Sequence, residues 1–134
     1  MTSAAEGNTM DHAAAIQTAQ ANLLALRALS DVFQHELDRD LPAPAADCDD
    51  ATFTAWNDAL EQAIEDRGGP ALFAARRAAE AALLDAVATW IRSLRTPSAA
   101  LRNMLDMAPT RPDVQLKLLA LAMRLDTNTL AMVA

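Results

Sequence analysis

Apolar residues recur along most of this chain at spacings of three and four, the pattern of helices that bury one face. Between residues 9 and 38 the series Ile16, Ala19, Leu23, Leu26, Ser30, Phe33 and Leu37 keeps that spacing. Leu29 and Val32 fall outside the series and widen it, which predicts a first helix packed on two neighbours. Asn8 or Thr9 is suited to cap its start, with Asp11 favourable at the positive end of the helix dipole. Leu41-Pro42-Ala43-Pro44 stops it, because each proline lacks an amide donor and disfavours helical geometry in the residue before it.

Asp49 or Asp50 then reads as the N-cap of a second helix over about 51–67. Phe53, Trp56, Leu60 and Ile64 share one of its faces, and Thr54, Asp58, Glu61 and Glu65 the other. Gly68-Gly69 supplies its stop, and Pro70 suits the first turn of a third helix reaching about Arg95. That helix carries Phe73, Leu83, Leu84, Val87, Trp90, Ile91 and Leu94 as its apolar stripe, with Arg76, Arg77 and Glu80 in an alanine-rich first half. Thr96-Pro97 ends it. A short helix over about 98–107 follows, with Leu101, Met104 and Leu105 inward, and Pro109 and Pro112 frame the next turn. Asp113 opens a fifth helix to about Leu125, rich in Val114, Leu116, Leu118, Leu119, Leu121 and Met123, which predicts a central or partner-facing position. The apolar end, with Leu130, Met132 and Val133, suits a last turn or a short helix after Asp126.

No strand-length alternation or internal repeat interrupts this pattern. The expectation is an all-α, single-domain antiparallel helical bundle of four main helices plus one short helix. Residues 1–8 read as a flexible N-terminus, 9–134 as the bundle, and 41–48 as a Pro/Ala linker between the first two helices. The tight Gly68-Gly69-Pro70 joint implies antiparallel packing of helices two and three.

Composition narrows the class. A length of 134 residues suits one domain with a sizeable core, and 52% hydrophobic residues exceed what a disordered chain carries. Much of that share is alanine, so the larger side chains and the rings of Phe33, Phe53, Trp56, Phe73 and Trp90 must supply the core volume. A single cysteine cannot form an internal disulfide, which points to a cytoplasmic setting. No apolar run is long enough for a membrane span, and the opening "MTSAAEGNTMDH" lacks the basic and apolar parts of a standard signal peptide.

Charge is uneven. The net value is −7. Residues 1–66 carry 13 acidic side chains against Arg27 and Arg39, whereas 67–134 carry nine basic and five acidic ones. Such a chain is a poor nonspecific binder of nucleic acid, which needs a basic surface. It favours basic partners, the chain's own second half or another copy among them.

Tests for chemistry come out negative. Asp31, His35 and Asp38 share a helix face at i, i+4 and i+7, but no Glu-x-x-His accompanies them and the other histidine, His12, stands far away. Calcium-loop registers starting at Asp38 or Asp47 place Pro42 or Ala51 where a ligand is required. Cys48 lies between Asp47 and Asp49, whose charges oppose a thiolate, although a helix start beside it acts the other way. Gly7, Gly68 and Gly69 cannot form a phosphate-binding loop. No enzyme, metal site or cofactor is expected.

The expected function is therefore a small acidic helical protein–protein interaction module: an adaptor, inhibitor or assembly factor. Its candidate partner-binding edge is Asp38, Asp40, Asp47, Asp49, Asp50, Asp58, Glu61 and Glu65, suited to a protein partner with a basic surface and not to nucleic acid or membrane. Leu116, Leu119, Met123, Leu130 and Met132 form a candidate apolar interface, compatible with a homodimer. An alternative is a component or chaperone of a bacterial secretion or assembly apparatus. The run "RPDVQLKLLALAMRLDTNTLAMVA" resembles the C-terminal segment of type III secretion needle and inner-rod subunits, in which a proline-bounded helix passes through a polar Asn/Thr stretch into an apolar end. That resemblance covers about a fifth of the chain, carries no diagnostic motif and does not extend to residues 1–95. A third alternative is a small-molecule-binding bundle with Trp56, Trp90, Met104, Met107 and Met123 lining a pocket.

Overall fold

The structure, a computed structural model, describes residues 9–94 and 98–127. They form five α-helices and no strand: α1 Thr9–Asp40, α2 Asp50–Asp66, α3 Gly69–Ser93, α4 Ala99–Met107 and α5 Pro112–Arg124. The fold is all-α, and each helix ends within about two residues of where its caps and prolines predict. The reading of residues 1–8, and that of the apolar end after Asp126 apart from Thr127, lie outside the described residues.

Packing groups the helices into two compact units. The first holds the described residues within Met1–Leu23 and Ala78–Ala134, the second Leu24–Arg77.

In the first unit the core joins three helices. Ile16 and Leu23 of α1, Leu83, Val87 and Ile91 of α3, and Val114, Leu118, Leu119 and Ala122 of α5 are all buried. Gln20 ties α1 to the end of α5: its side-chain amide donates to the carbonyls of Ala122 at 2.7 Å and Leu125 at 3.1 Å. Ala122 lies in the last turn of α5, where its carbonyl also accepts from the amide of the C-cap Leu125 at 3.4 Å. Ser98 caps α4 by accepting from the Leu101 amide at 3.1 Å. Pro112 sits at the start of α5, where Arg111 and Asp113 pair through two hydrogen bonds of 3.0 and 2.8 Å.

In the second unit α1 contributes Ser30 and Leu37 as buried side chains. The Ser30 hydroxyl donates back to the Leu26 carbonyl at 2.9 Å, so this polar position of the stripe is satisfied within its own helix. Phe33 meets Phe73 edge to face, with ring centres 5.6 Å apart at 85°. The α2–α3 joint is tight. The Arg67 and Gly68 amides close on the carbonyls of Ala63 and Glu65, Gly68 adopts φ 77°, and Gly69 already belongs to α3. The segment before α2 is fastened too: the Cys48 amide closes a turn onto the Ala45 carbonyl at 3.0 Å, and the Trp56 indole donates to the Leu41 carbonyl at 3.1 Å.

Two packing expectations are corrected. Leu29 and Val32 do not face a second neighbour; they are 56% and 55% exposed. Phe53 does not share the protected face of α2. It is 52% exposed in the first turn, lying against Trp56 with ring centres 5.6 Å apart, while Trp56, Leu60 and Ile64 are half-buried. The period of a sequence marks an apolar face but not whether an element covers it.

Candidate functional site

The acidic edge lies entirely in the second unit, at the end of α1, in the connecting loop and along α2. All eight carboxylates are exposed, but their chemical situations differ. Asp49 caps α2, accepting from the Thr52 amide at 2.7 Å, and hydrogen bonding to the Thr52 side chain and amide holds its carboxyl below the ordinary aspartate range. Asp40 accepts from Arg39 and from Arg67, each at 2.9 Å, and those two guanidinium contacts likewise hold it low. The Arg67 pair clasps the end of α1 to the end of α2. Asp38 accepts from the Gln34 amide at 2.9 Å, and Glu61 from the Asn57 amide at 3.3 Å.

The side chains of Asp47, Asp50, Asp58 and Glu65 make no hydrogen bond or ion pair among the described residues. The eight therefore divide into two that hold the unit together, two that share one neighbouring amide each, and four free charges. No three His, Cys, Asp or Glu side chains come together as a metal-binding group among the described residues. The arrangement is a spread of surface charge. It can attract and orient a cationic surface, which is a long-range and salt-sensitive effect. Counting the whole second unit, eleven acids stand against Arg27, Arg39, Arg67, Arg76 and Arg77.

Cys48 is half-buried and free. It borders a shallow hollow with Ala43, Pro44, Ala45, Ala46, Asp50, Phe53 and Trp56. Asp50 is the only ionisable side chain beside Cys48 among the residues that line that hollow.

The candidate apolar interface is described at three of its five positions. Leu119 is only 5% exposed and belongs to the core of the first unit, because α5 turns that side inward with Val114, Leu118 and Ala122. Leu116 is 67% exposed and Met123 half-buried. Leu130 and Met132 lie outside the described residues.

The residues suggested for a ligand pocket do not line the groove of the first unit. The first unit has an open groove of about 280 Å³ between α3, α4 and α5, lined by Leu84, Val87, Leu105 and Leu118 with Asp85 and Arg92 among its polar members. Trp90, Met104, Met107 and Met123 do not line it, and Trp56 borders the hollow of the other unit. The groove is at the small end for a ligand site.

One surface went unread in the sequence. Leu24 is 61% exposed, and Ala25 and Ala28 beside it are also exposed. With Leu29 and Val32 they make the outward side of α1 apolar, opposite the side that carries Ser30, Phe33 and Leu37. Apolar residues on both sides of one helix were the available signal.

Comparison of the chain with protein-family models, with curated protein sequences and with solved structures gives no match. No helix among the described residues is long and apolar enough to cross a membrane.

Proposed function

We propose that this chain is a small acidic helical interaction module, an adaptor, inhibitor or assembly factor rather than a catalyst, that engages a protein with a basic surface. One observation carries the reading: the side chains of Asp47, Asp50, Asp58 and Glu65 are exposed and have no partner among the described residues, in a unit whose acids outnumber its arginines eleven to five. Free carboxylates in such excess repel one another and keep their full attraction for a cation. Asp40 and Asp49 are already engaged and belong to the frame.

The test compares the wild-type chain with the variant Asp47→Asn/Asp50→Asn/Asp58→Asn/Glu65→Gln as immobilised baits in native lysate. Captured proteins are identified by mass spectrometry. The expected partner is basic, is lost from the neutralised bait, and is released as ionic strength rises from about 0.1 M to 1 M, where the screening length shrinks from about 10 Å to about 3 Å. Partners retained equally by both baits at high salt refute the reading.

A further inference from the structure

We infer that the outward side of α1 in the second unit is the docking surface for a basic amphipathic helix of the partner. This rests on the reading of the chain as an acidic interaction module and names the surface and the partner chemistry.

The pattern on α1 is specific. Leu24, Asp31 and Asp38 follow one another at seven-residue intervals, as do Leu29 and Glu36. Between those two rows run Ala25, Val32 and Arg39, whose guanidinium pairs with Asp40, and Ala28 and His35, again seven apart. Seven residues are close to two helical turns, so each row runs along the helix axis. The result is a stripe bordered by leucine on both sides in its first half and by carboxylates on both sides in its second. Leu24, Ala25, Ala28, Leu29, Asp31, Val32, His35 and Glu36 are all exposed. Asp31 has no ion pair among the described residues.

Exposed large apolar side chains on one continuous helix stripe mark an interaction surface more often than scattered ones do. Small Ala25 and Ala28 along the middle leave room for a second helix to approach closely, with Leu24 and Leu29 as walls. Charge selects the occupant. A second copy would bring two strongly acidic units face to face, and nucleic acid or an anionic bilayer would be repelled for the same reason. A helix with leucine-type residues on one side and lysine or arginine along its borders meets both requirements, its cations falling beside Asp31, Glu36 and Asp38. The stripe from Leu24 to Asp38 fits a partner helix of about 15 residues, roughly 22 Å long.

The experiment uses the full chain and a labelled peptide of about 15 residues, leucine on one helical side and lysine on the other, with binding read by fluorescence anisotropy. One control peptide has the same composition with leucines spread around the helix. The variants are Leu24→Gln/Leu29→Gln, Asp31→Asn/Glu36→Gln, and Asp58→Asn/Glu65→Gln on α2, each confirmed by circular dichroism to keep its helix content. These positions are exposed, so the fold is expected to tolerate all three. The amphipathic peptide should bind at least about tenfold more tightly than the control, and Leu24→Gln/Leu29→Gln should erase that difference. Asp31→Asn/Glu36→Gln should weaken binding and flatten its salt dependence.

Equal binding of both peptides, unaffected by the α1 variants but weakened by Asp58→Asn/Glu65→Gln, overturns the α1 surface while leaving the acidic module intact. No binding of either lysine peptide at low salt overturns both. A stable dimer that Leu24→Gln/Leu29→Gln dissociates shows a second copy on the stripe and also overturns the inference.

Discussion

Gly69→Ala tests the α2–α3 joint at its closest approach. Position 69 is buried and has no positive φ, so alanine suits its backbone. Sterically it does not fit. A methyl group there lies 2.5 Å from the Ile64 Cγ2 atom, 2.8 Å from the Ile64 carbonyl oxygen and 3.0 Å from Phe33 Cζ. The side-chain atoms can move, whereas the carbonyl belongs to α2 itself. Overpacking of this kind costs about 1–3 kcal/mol. Stiffening of the unfolded chain returns about 0.4–1 kcal/mol. The net expectation is a loss of about 1–2 kcal/mol. With a urea m-value of about 2 kcal/mol/M, the midpoint falls by about 0.5–1 M. Trp56 in a Trp90→Phe background reports the second unit by fluorescence. Repeating Gly69→Ala in an Ile64→Ala background removes the Cγ2 contact but keeps the carbonyl, so the cost should shrink without vanishing. Gly68→Ala provides the contrast. Its position has φ 77° with open space around it, so its cost of about 1–2 kcal/mol is conformational and should not change with Ile64→Ala. A Gly69→Ala chain as stable as wild type refutes the close approach.

Three further outcomes are expected. Leu37→Ala, at a fully buried position of the second unit, should cost about 2–5 kcal/mol in urea unfolding read by Trp56. Gln20→Ala removes the side-chain donor to the carbonyls of Ala122 and Leu125 and should cost about 0.5–1.5 kcal/mol, read by Trp90 in a Trp56→Phe background. Asp40, Asp49 and Asp113 are held below the ordinary carboxylate range by Arg39 and Arg67, by Thr52, and by Arg111 respectively. Their folded-state values lie below the unfolded ones, so their contribution is complete above about pH 4 and is lost as pH falls through the lowered values. Urea midpoints measured at falling pH should drop below about pH 4 in wild type, and less steeply in Asp40→Asn.

The helices were legible because their boundaries are written in local chemistry. Pro42 and Pro44, Gly68, Ser98 and Pro112 act within one turn of themselves, and so does the Asp49 cap. The inward series from Ile16 to Leu37 was legible for a related reason: one period runs through α1 without interruption. What sequence could not supply was the neighbour. Leu29, Val32 and Phe53 have the apolar character of core residues and lie where no described element covers them. Leu119 looks as available as Leu116 in the sequence, and only the packing of α5 separates them. The acidic edge shows the same limit. Its charges can be counted along the chain, but the pairing of Asp40 with Arg67 joins residues 27 apart and removes one carboxylate from the free set.

Within this unit α1 meets Phe73 of α3 and Arg67 at the end of α2, yet Leu24, Leu29 and Val32 stay exposed. Two forces then compete on the uncovered side. Burial of Leu24, Leu29 and Val32 favours any apolar occupant, whereas Asp31, Glu36 and Asp38 discriminate by charge. Salt separates them, because it screens exposed charges and leaves apolar burial nearly untouched. Added salt should weaken a basic helix on this stripe. It should strengthen a second copy, whose approach is opposed by like charge. The sign of the salt response at constant peptide and protein concentration therefore identifies the occupant, even where the absolute affinities are similar.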